Sequence, residues 1–232
     1  MGRREAIWRC EAMGNLRICF IRHGTTGMNQ RGLFCGRTDA LLAREGWEEL
    51  IQLRETYDYP AVERVYSSPA VRCRETASVF YPQLEPVIKE GLWEFDFGQG
   101  ERTLAASYRG TDLFAAWLRQ DPDCMFPSGE TLLEARFRIQ AAMTRIIMEC
   151  REDGISSIAV IAHGSILASL MKVCLTPEEY ADSFLLCPNG MGLVGQVDTE
   201  TWFSRQKIVF EEYLPKGAPR LKPEDSPYFS ED

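Results

Sequence analysis

Only two histidines occur in this 232-residue chain, His23 and His163, and each follows an apolar run, His163 directly and His23 across Arg22, and precedes a glycine. An apolar run halted by a glycine-containing segment reads as a buried strand ending in a loop, and in open α/β sheets such loops form the ligand crevice. If the two strands are neighbours, both imidazoles face one space. One histidine at a strand end is more often a hydrogen-bonded structural residue; the shared placement of the only pair favours chemistry. Arg22 stands beside His23, and Arg72 lies just inside the helix expected after Ser67-Ser68-Pro69. Guanidinium forks grip a phosphoryl group and offset its charge without a metal. An imidazole with a pKa near ~6.5 is neutral enough to attack at physiological pH, and a hydrogen bond from its other nitrogen to a backbone carbonyl would orient it. Glu94, in an irregular segment after a strand, is the candidate acid, a role that requires burial to raise its pKa. Two histidines without a carboxylate at ligand spacing make a poor metal site.

These side chains need a scaffold that gathers them. Leu16–Ile21 reads as the first strand, 45–57 as a helix and Val62–Tyr66 as a second strand, with Ser68 as N-cap and Pro69 as first residue of the next helix. A short strand at Glu85–Ile88, an irregular stretch through Gly100 and a helical pattern over Leu104–Leu118 follow. A long helix over about 130–152 should bury Leu133, Phe137, Ile139, Ala142, Ile146 and Ile147. Ser156–Ala162 is the most apolar strand and precedes a helix at 166–174; 191–197 and 202–213 read as closing strands, and the Pro-rich charged tail from Pro215 as an arm or disorder. Alternating β and α with apolar strands predicts an α/β fold, a mostly parallel sheet covered by helices on both faces.

Composition removes competing classes. The 26 basic and 34 acidic side chains leave a net charge of −8, the wrong sign for a general nucleic-acid binder. No apolar run approaches the ~20 residues that cross a bilayer, and residues 1–14 are basic without an apolar signal core, so a cytoplasmic protein without membrane partners is expected. The eight cysteines are single and form no CxxC, which indicates buried small hydrophobes. Nothing in the sequence sets an oligomeric state.

The spacing Arg22-His23-Gly24, Thr26, Asn29, Gly32, Gly36, Asp39, Leu42 and Gly46 resembles the signature of the histidine phosphatase superfamily, which includes the cofactor-dependent phosphoglycerate mutases. Ser67-Ser68-Pro69 with Arg72, Thr76 and Ala77 extends the match, as do Leu92-x-Glu94 with Phe97-Gly98 and Glu101, Gly129-Glu130, and Ala162-His163-Gly164, so that it runs from about residue 16 to 170. The resemblance implies a phosphoglycerate mutase-like three-layer α/β/α domain over 15–214, with a lid at about 95–128, an N-terminal extension at 1–14 and a tail at 215–232. It makes His23 the nucleophile, Glu94 the proton donor, and Arg22, Arg72 and His163 the catalytic phosphate grip. Asn29, Cys35, Gly36 and Gly164 become substrate-binding positions, with no metal and no cofactor.

The departures bear on substrate. Gly100 stands where an aromatic is usual, which is expected to open one pocket wall; Leu41-Leu42-Ala43 and Glu49-Leu50 are expected to alter only helix entry. Only 35 residues separate Glu94 from Glu130, and no lysine lies between Lys89 and Lys172. The insertion with which true mutases of this family grip a carboxylate is absent, so the chain is more similar to compact phosphatases such as the α-ribazole-phosphate phosphatases. The implied reaction is hydrolysis of a small phosphorylated metabolite; a mutase-type transfer and a non-catalytic phosphate-binding module are the alternatives.

Overall fold

The computed structural model describes residues 14–176 and 187–219; the expected extension up to residue 13 and the tail beyond 219 lie outside them. The elements are β1 (Asn15–Arg22), α1 (Gly27–Gln30), α2 (Arg44–Thr56), β2 (Arg64–Ser67), α3 (Val71–Phe80), β3 (Val87–Ile88), α4 (Asp112–Leu118), α5 (Leu132–Asp153), β4 (Ser157–Ala162), α6 (Gly164–Cys174), β5 (Gly192–Asp198), α7 (Trp202–Arg205) and β6 (Val209–Leu214). Short 3-10 turns at Glu90–Leu92, Gly98–Gly100 and Ala105–Tyr108 fill the stretch between β3 and α4.

One six-stranded sheet runs in the order β3-β2-β4-β1-β5-β6. The first four strands are parallel, and β5 and β6 are antiparallel additions at one side. Strand alternation assigns the two faces. Leu16, Ile18 and Phe20 of β1 with Ile158, Val160 and Ala162 of β4 enter one core with α5, α6 and the 92–126 segment. Cys19, Ile21, Ala159 and Ile161 enter the other with α2 and α3. Both faces are covered, so these strands are apolar at nearly every position, as a buried parallel sheet requires. Among the described residues no helix is long and apolar enough to cross a membrane.

The structure corrects several local readings. The pattern over 104–118 is not one helix, because Gly110 adopts φ +77 between a 3-10 turn and α4, and the Thr111 hydroxyl then caps Phe114 N. α5 starts at a capping box formed by Thr131 and Glu134, and its buried stripe is Leu132, Ala135, Ile139, Met143 and Ile146. Leu133 and Phe137 lie off that stripe and are 37% and 63% exposed. The segment 202–213 opens with α7, ended by Gln206 in the left-handed region, and becomes a strand only at Val209. α3 begins at Val71 with Ala70 as its cap residue, two positions later than expected, although the Ser68 hydroxyl still accepts from Ala70 N at 3.3 Å.

Candidate active site

β1 and β4 are hydrogen-bonded neighbours with Arg22 opposite Ala162, and His23 N donates to Ala162 O at 3.0 Å. This register puts the two histidines side by side, their ring centroids 5.2 Å apart at an interplanar angle of 66°. His23 is 3% exposed, and its Nδ1 lies 2.7 Å from Gly24 O. A carbonyl only accepts, so Nδ1 carries the proton and Nε2 holds a lone pair. The turn behind it is fixed by Gly24 N donating to Thr76 Oγ1 at 2.9 Å and by Asn189 Nδ2 donating to His23 O at 2.8 Å.

His163 is arranged in the opposite sense. Arg72 Nη2 approaches its Nδ1 at 3.1 Å, and a guanidinium only donates, so the proton sits on Nε2 and is given to Ser68 Oγ at 2.8 Å. Burial, joined by the nearby arginine charges, holds both histidines well below the ordinary imidazole range.

Arg72 has no exposed surface. Its cost of burial is offset by acceptors: Thr38 O at 2.8 Å, Gly36 O at 2.9 Å, Cys35 O at 3.3 Å and His163. Those carbonyls belong to a loop organised by Glu101, whose carboxylate accepts from the backbone N–H groups of Gly36, Arg37 and Thr38 and from the Thr38 hydroxyl. Gly36 is required there, because a Cβ would stand 2.1 Å from Phe95 O. The Nε atoms of Arg22 and Arg72 are both buried without an acceptor among the described residues, and Arg22, which lines the cavity, keeps a donor for an anion there.

Glu94, 6% exposed, receives N–H bonds from Phe95 (2.8 Å), Ile166 (3.0 Å) and Ser165 (3.2 Å). The last two are free donors of the first turn of α6. Burial nevertheless outweighs these bonds and the arginines and raises its pKa above the usual carboxylate value. Arg22, His23, Asn29, Cys35, Glu94 and Gly164 line one small cavity together with Phe97 and Trp117. The other sequence-derived positions, Gly36, Arg72 and His163, stand behind its wall. Arg22 donates to Cys187 O at 2.8 Å, and Asn29 Oδ1 serves the capping box of α1. The arrangement brings a neutral imidazole, a carboxyl with a raised pKa and the Arg22 cation to one enclosure, with the Arg72 charge behind its wall.

Residues 18–200 match the family model of the histidine phosphatase superfamily, branch 1. The chain belongs to this superfamily. It is 26% identical over 163 residues to "Putative phosphoserine phosphatase 2" of Hydrogenobacter thermophilus, covering 68% of this chain and 77% of that protein. It is 27% identical over 170 residues to a 2,3-bisphosphoglycerate-dependent phosphoglycerate mutase of Rhizobium etli, covering 67% and 78%. The crystal structure of a phosphoglycerate mutase from Bacillus anthracis superposes with a TM-score of 0.72 at 20% identity, covering 86% of this chain and 93% of that one, which shows the common fold. Phosphatases and mutases of this superfamily share phosphoryl transfer, the chemistry to which the chain is thereby assigned.

Within this member of the superfamily, the sequence gives no sign of residues that act through backbone. Arg138 of α5 donates to Gly91 O (3.0 Å), Trp93 O (2.8 Å) and Glu94 O (3.2 Å) and pairs with Glu130 at 2.5 Å, clamping the segment that carries the acid. No motif flags an arginine eight residues past Glu130. The expected opening beside Gly100 is absent, because the Phe126 ring fills that space: a Cβ on Gly100 would come 2.7 Å from it. The aromatics of 95–126 pack on one another, with Phe34 stacked on Phe97 at 4.5 Å and set edge-on to Trp117 and Phe126.

Proposed function

We propose that this chain is a phosphomonoester hydrolase that acts on a small phosphorylated metabolite through a phosphohistidine. The observation that carries the reading is the pairing of two groups in one cavity: Gly24 O holds the His23 proton on Nδ1, leaving Nε2 a lone pair, and burial raises the Glu94 pKa above the usual carboxylate value. His23 Nε2 attacks phosphorus, and the P–O bond to the alcohol breaks as Glu94 gives that oxygen its proton. The ionised Glu94 then takes a proton from water, whose oxygen attacks the phosphohistidine and returns His23 to its neutral form. Arg22, with Arg72 behind it, offsets phosphoryl charge during both transfers. Proton transfer of this kind contributes roughly 10²–10⁴-fold. Hydrolysis is favoured over mutase transfer because no lysine lies between Lys89 and Lys172 to hold a substrate carboxylate.

The test is turnover of phosphate monoesters, α-ribazole 5′-phosphate and both phosphoglycerates among them, in the presence of a chelator. Rapid quench should trap acid-labile phosphate on the wild-type chain and none on His23→Ala. Glu94→Gln should slow alkyl esters far more than p-nitrophenyl phosphate, whose leaving group needs little protonation. Normal turnover by His23→Ala, or loss of activity on chelation that a divalent metal restores, would overturn the reading.

A further inference from the structure

A cleft of about 540 Å³ opens beside the phosphate cavity and shares Arg22 and Asn29 with it. One wall is a single face of α2, on which Glu49, Gln52, Leu53 and Thr56 recur at helical spacing; Asn189 and Met191 stand on another side. A group esterified to a phosphoryl oxygen beside Arg22 therefore has this cleft as its space. Among the described residues that line it, Glu49 is the only carboxylate and Arg22 the only cation, and Arg22 is committed to the phosphoryl group. Thr25 Oγ1 donates to Glu49 Oε2 at 2.7 Å and so fixes the carboxylate, while Oε1 has no protein donor among the described residues. Asn189 spends its Nδ2 on His23 O, which leaves its Oδ1 as a second open acceptor. The cleft thus offers acceptors and negative charge, and no cation for a second anionic group.

We infer that Glu49 sets leaving-group specificity: it disfavours an alcohol bearing a carboxylate and favours an uncharged or cationic alcohol rich in hydrogen-bond donors. The inference rests on the hydrolase reading for the same site. Glycerol 1-phosphate and 3-phosphoglycerate test it, since they differ in a hydroxymethyl against a carboxylate. Wild-type kcat/KM should favour the glycerol ester by about fivefold, the scale of one exposed charge interaction, and less at high salt. Glu49→Gln should erase most of this preference through KM, and Glu49→Lys should invert it. The dissociation constants of both esters from His23→Ala should follow the same order, a readout that needs no turnover. Equal preference in the wild type, or a ratio that neither Glu49 variant moves, overturns the inference. Absence of turnover with the binding preference intact overturns the hydrolase reading and leaves the specificity role standing.

Discussion

Glu101→Gln keeps the shape of the side chain and replaces one acceptor oxygen with a donor. Oε1 accepts from Arg37 N at 2.9 Å and Phe97 N at 3.4 Å; Oε2 accepts from Gly36 N at 3.2 Å, Thr38 N at 3.3 Å and Thr38 Oγ1 at 2.8 Å. Whichever way the amide turns, its NH2 faces two backbone donors that have no other acceptor within the loop. Hydrogen bonds to a charged acceptor contribute roughly 1.5–3 kcal/mol each, and at the low end two of them make about 3 kcal/mol. For a domain of this size that lowers the melting temperature by about 6–12 °C. The effect reaches the active site because Cys35, Gly36 and Thr38 supply the carbonyls that hold Arg72. Inorganic phosphate should therefore bind about tenfold more weakly, a loss near 1.4 kcal/mol, while the ratio of alkyl to p-nitrophenyl ester hydrolysis stays that of the wild type. Calorimetry and phosphate inhibition measure the two effects. A melting point within a degree or two of wild type refutes the loop argument, and a changed leaving-group ratio makes Glu101, not Glu94, the acid.

The pH dependence follows from the same pKa directions. His23 must be neutral and sits well below 6.5, and Glu94 must be protonated and sits above 4.5, so kcat/KM corrected for substrate ionisation should fall on the acid side only well below pH 6.5 and on the alkaline side with Glu94; an alkaline limb that survives Glu94→Gln contradicts this. For stability, an unfolded chain takes up protons on His23 and His163 below about 6.5 that the fold refuses, whereas the fold alone retains one on Glu94 above about 4.5. The two histidines outnumber the one carboxyl, so between about pH 5 and 6.5 stability should drop with acidification, and urea titrations showing a flat or opposite trend would refute it. Gly36→Ala forces a Cβ against the Phe95 carbonyl and should cost several kcal/mol, of order 3 or more, together with phosphate affinity; wild-type melting and binding would show that the loop yields freely.

The sheet and its catalytic edge were legible because two independent patterns coincide there. Leu16–Ile21 and Ser156–Ala162 are apolar at nearly every position, which only a strand buried on both faces requires, and each leads, the first across Arg22 and the second directly, to a histidine before a glycine. What stayed hidden is written in backbone contacts. The carbonyls of Gly91, Trp93 and Glu94 accept from Arg138 regardless of their side chains, so no residue pattern announces that clamp. Serine before proline reads as a helix cap, and Ser68 does accept from Ala70 N at 3.3 Å, but the shorter bond of its hydroxyl, from His163 Nε2 at 2.8 Å, is a tertiary contact that no local pattern announces. On α5 the spacing of Leu133 and Phe137 fits a helical stripe as well as that of Leu132 and Ala135 does, and only the position of the sheet decides which stripe is buried.

Arg72 links the two halves of the site. Its charge acts in the same direction as burial on His23 and His163, keeping both imidazoles neutral, and against burial on Glu94, where burial prevails. A pair of titratable groups pushed below and above their ordinary values fits the proposed roles, the lowered imidazole as nucleophile and the raised carboxyl as acid. In the proposed reaction a phosphoryl group entering the cavity would partly cancel the arginine charge and with it the arginines' pull on Glu94, so the Glu94 carboxyl should hold its proton more firmly until the leaving oxygen develops enough charge to take it.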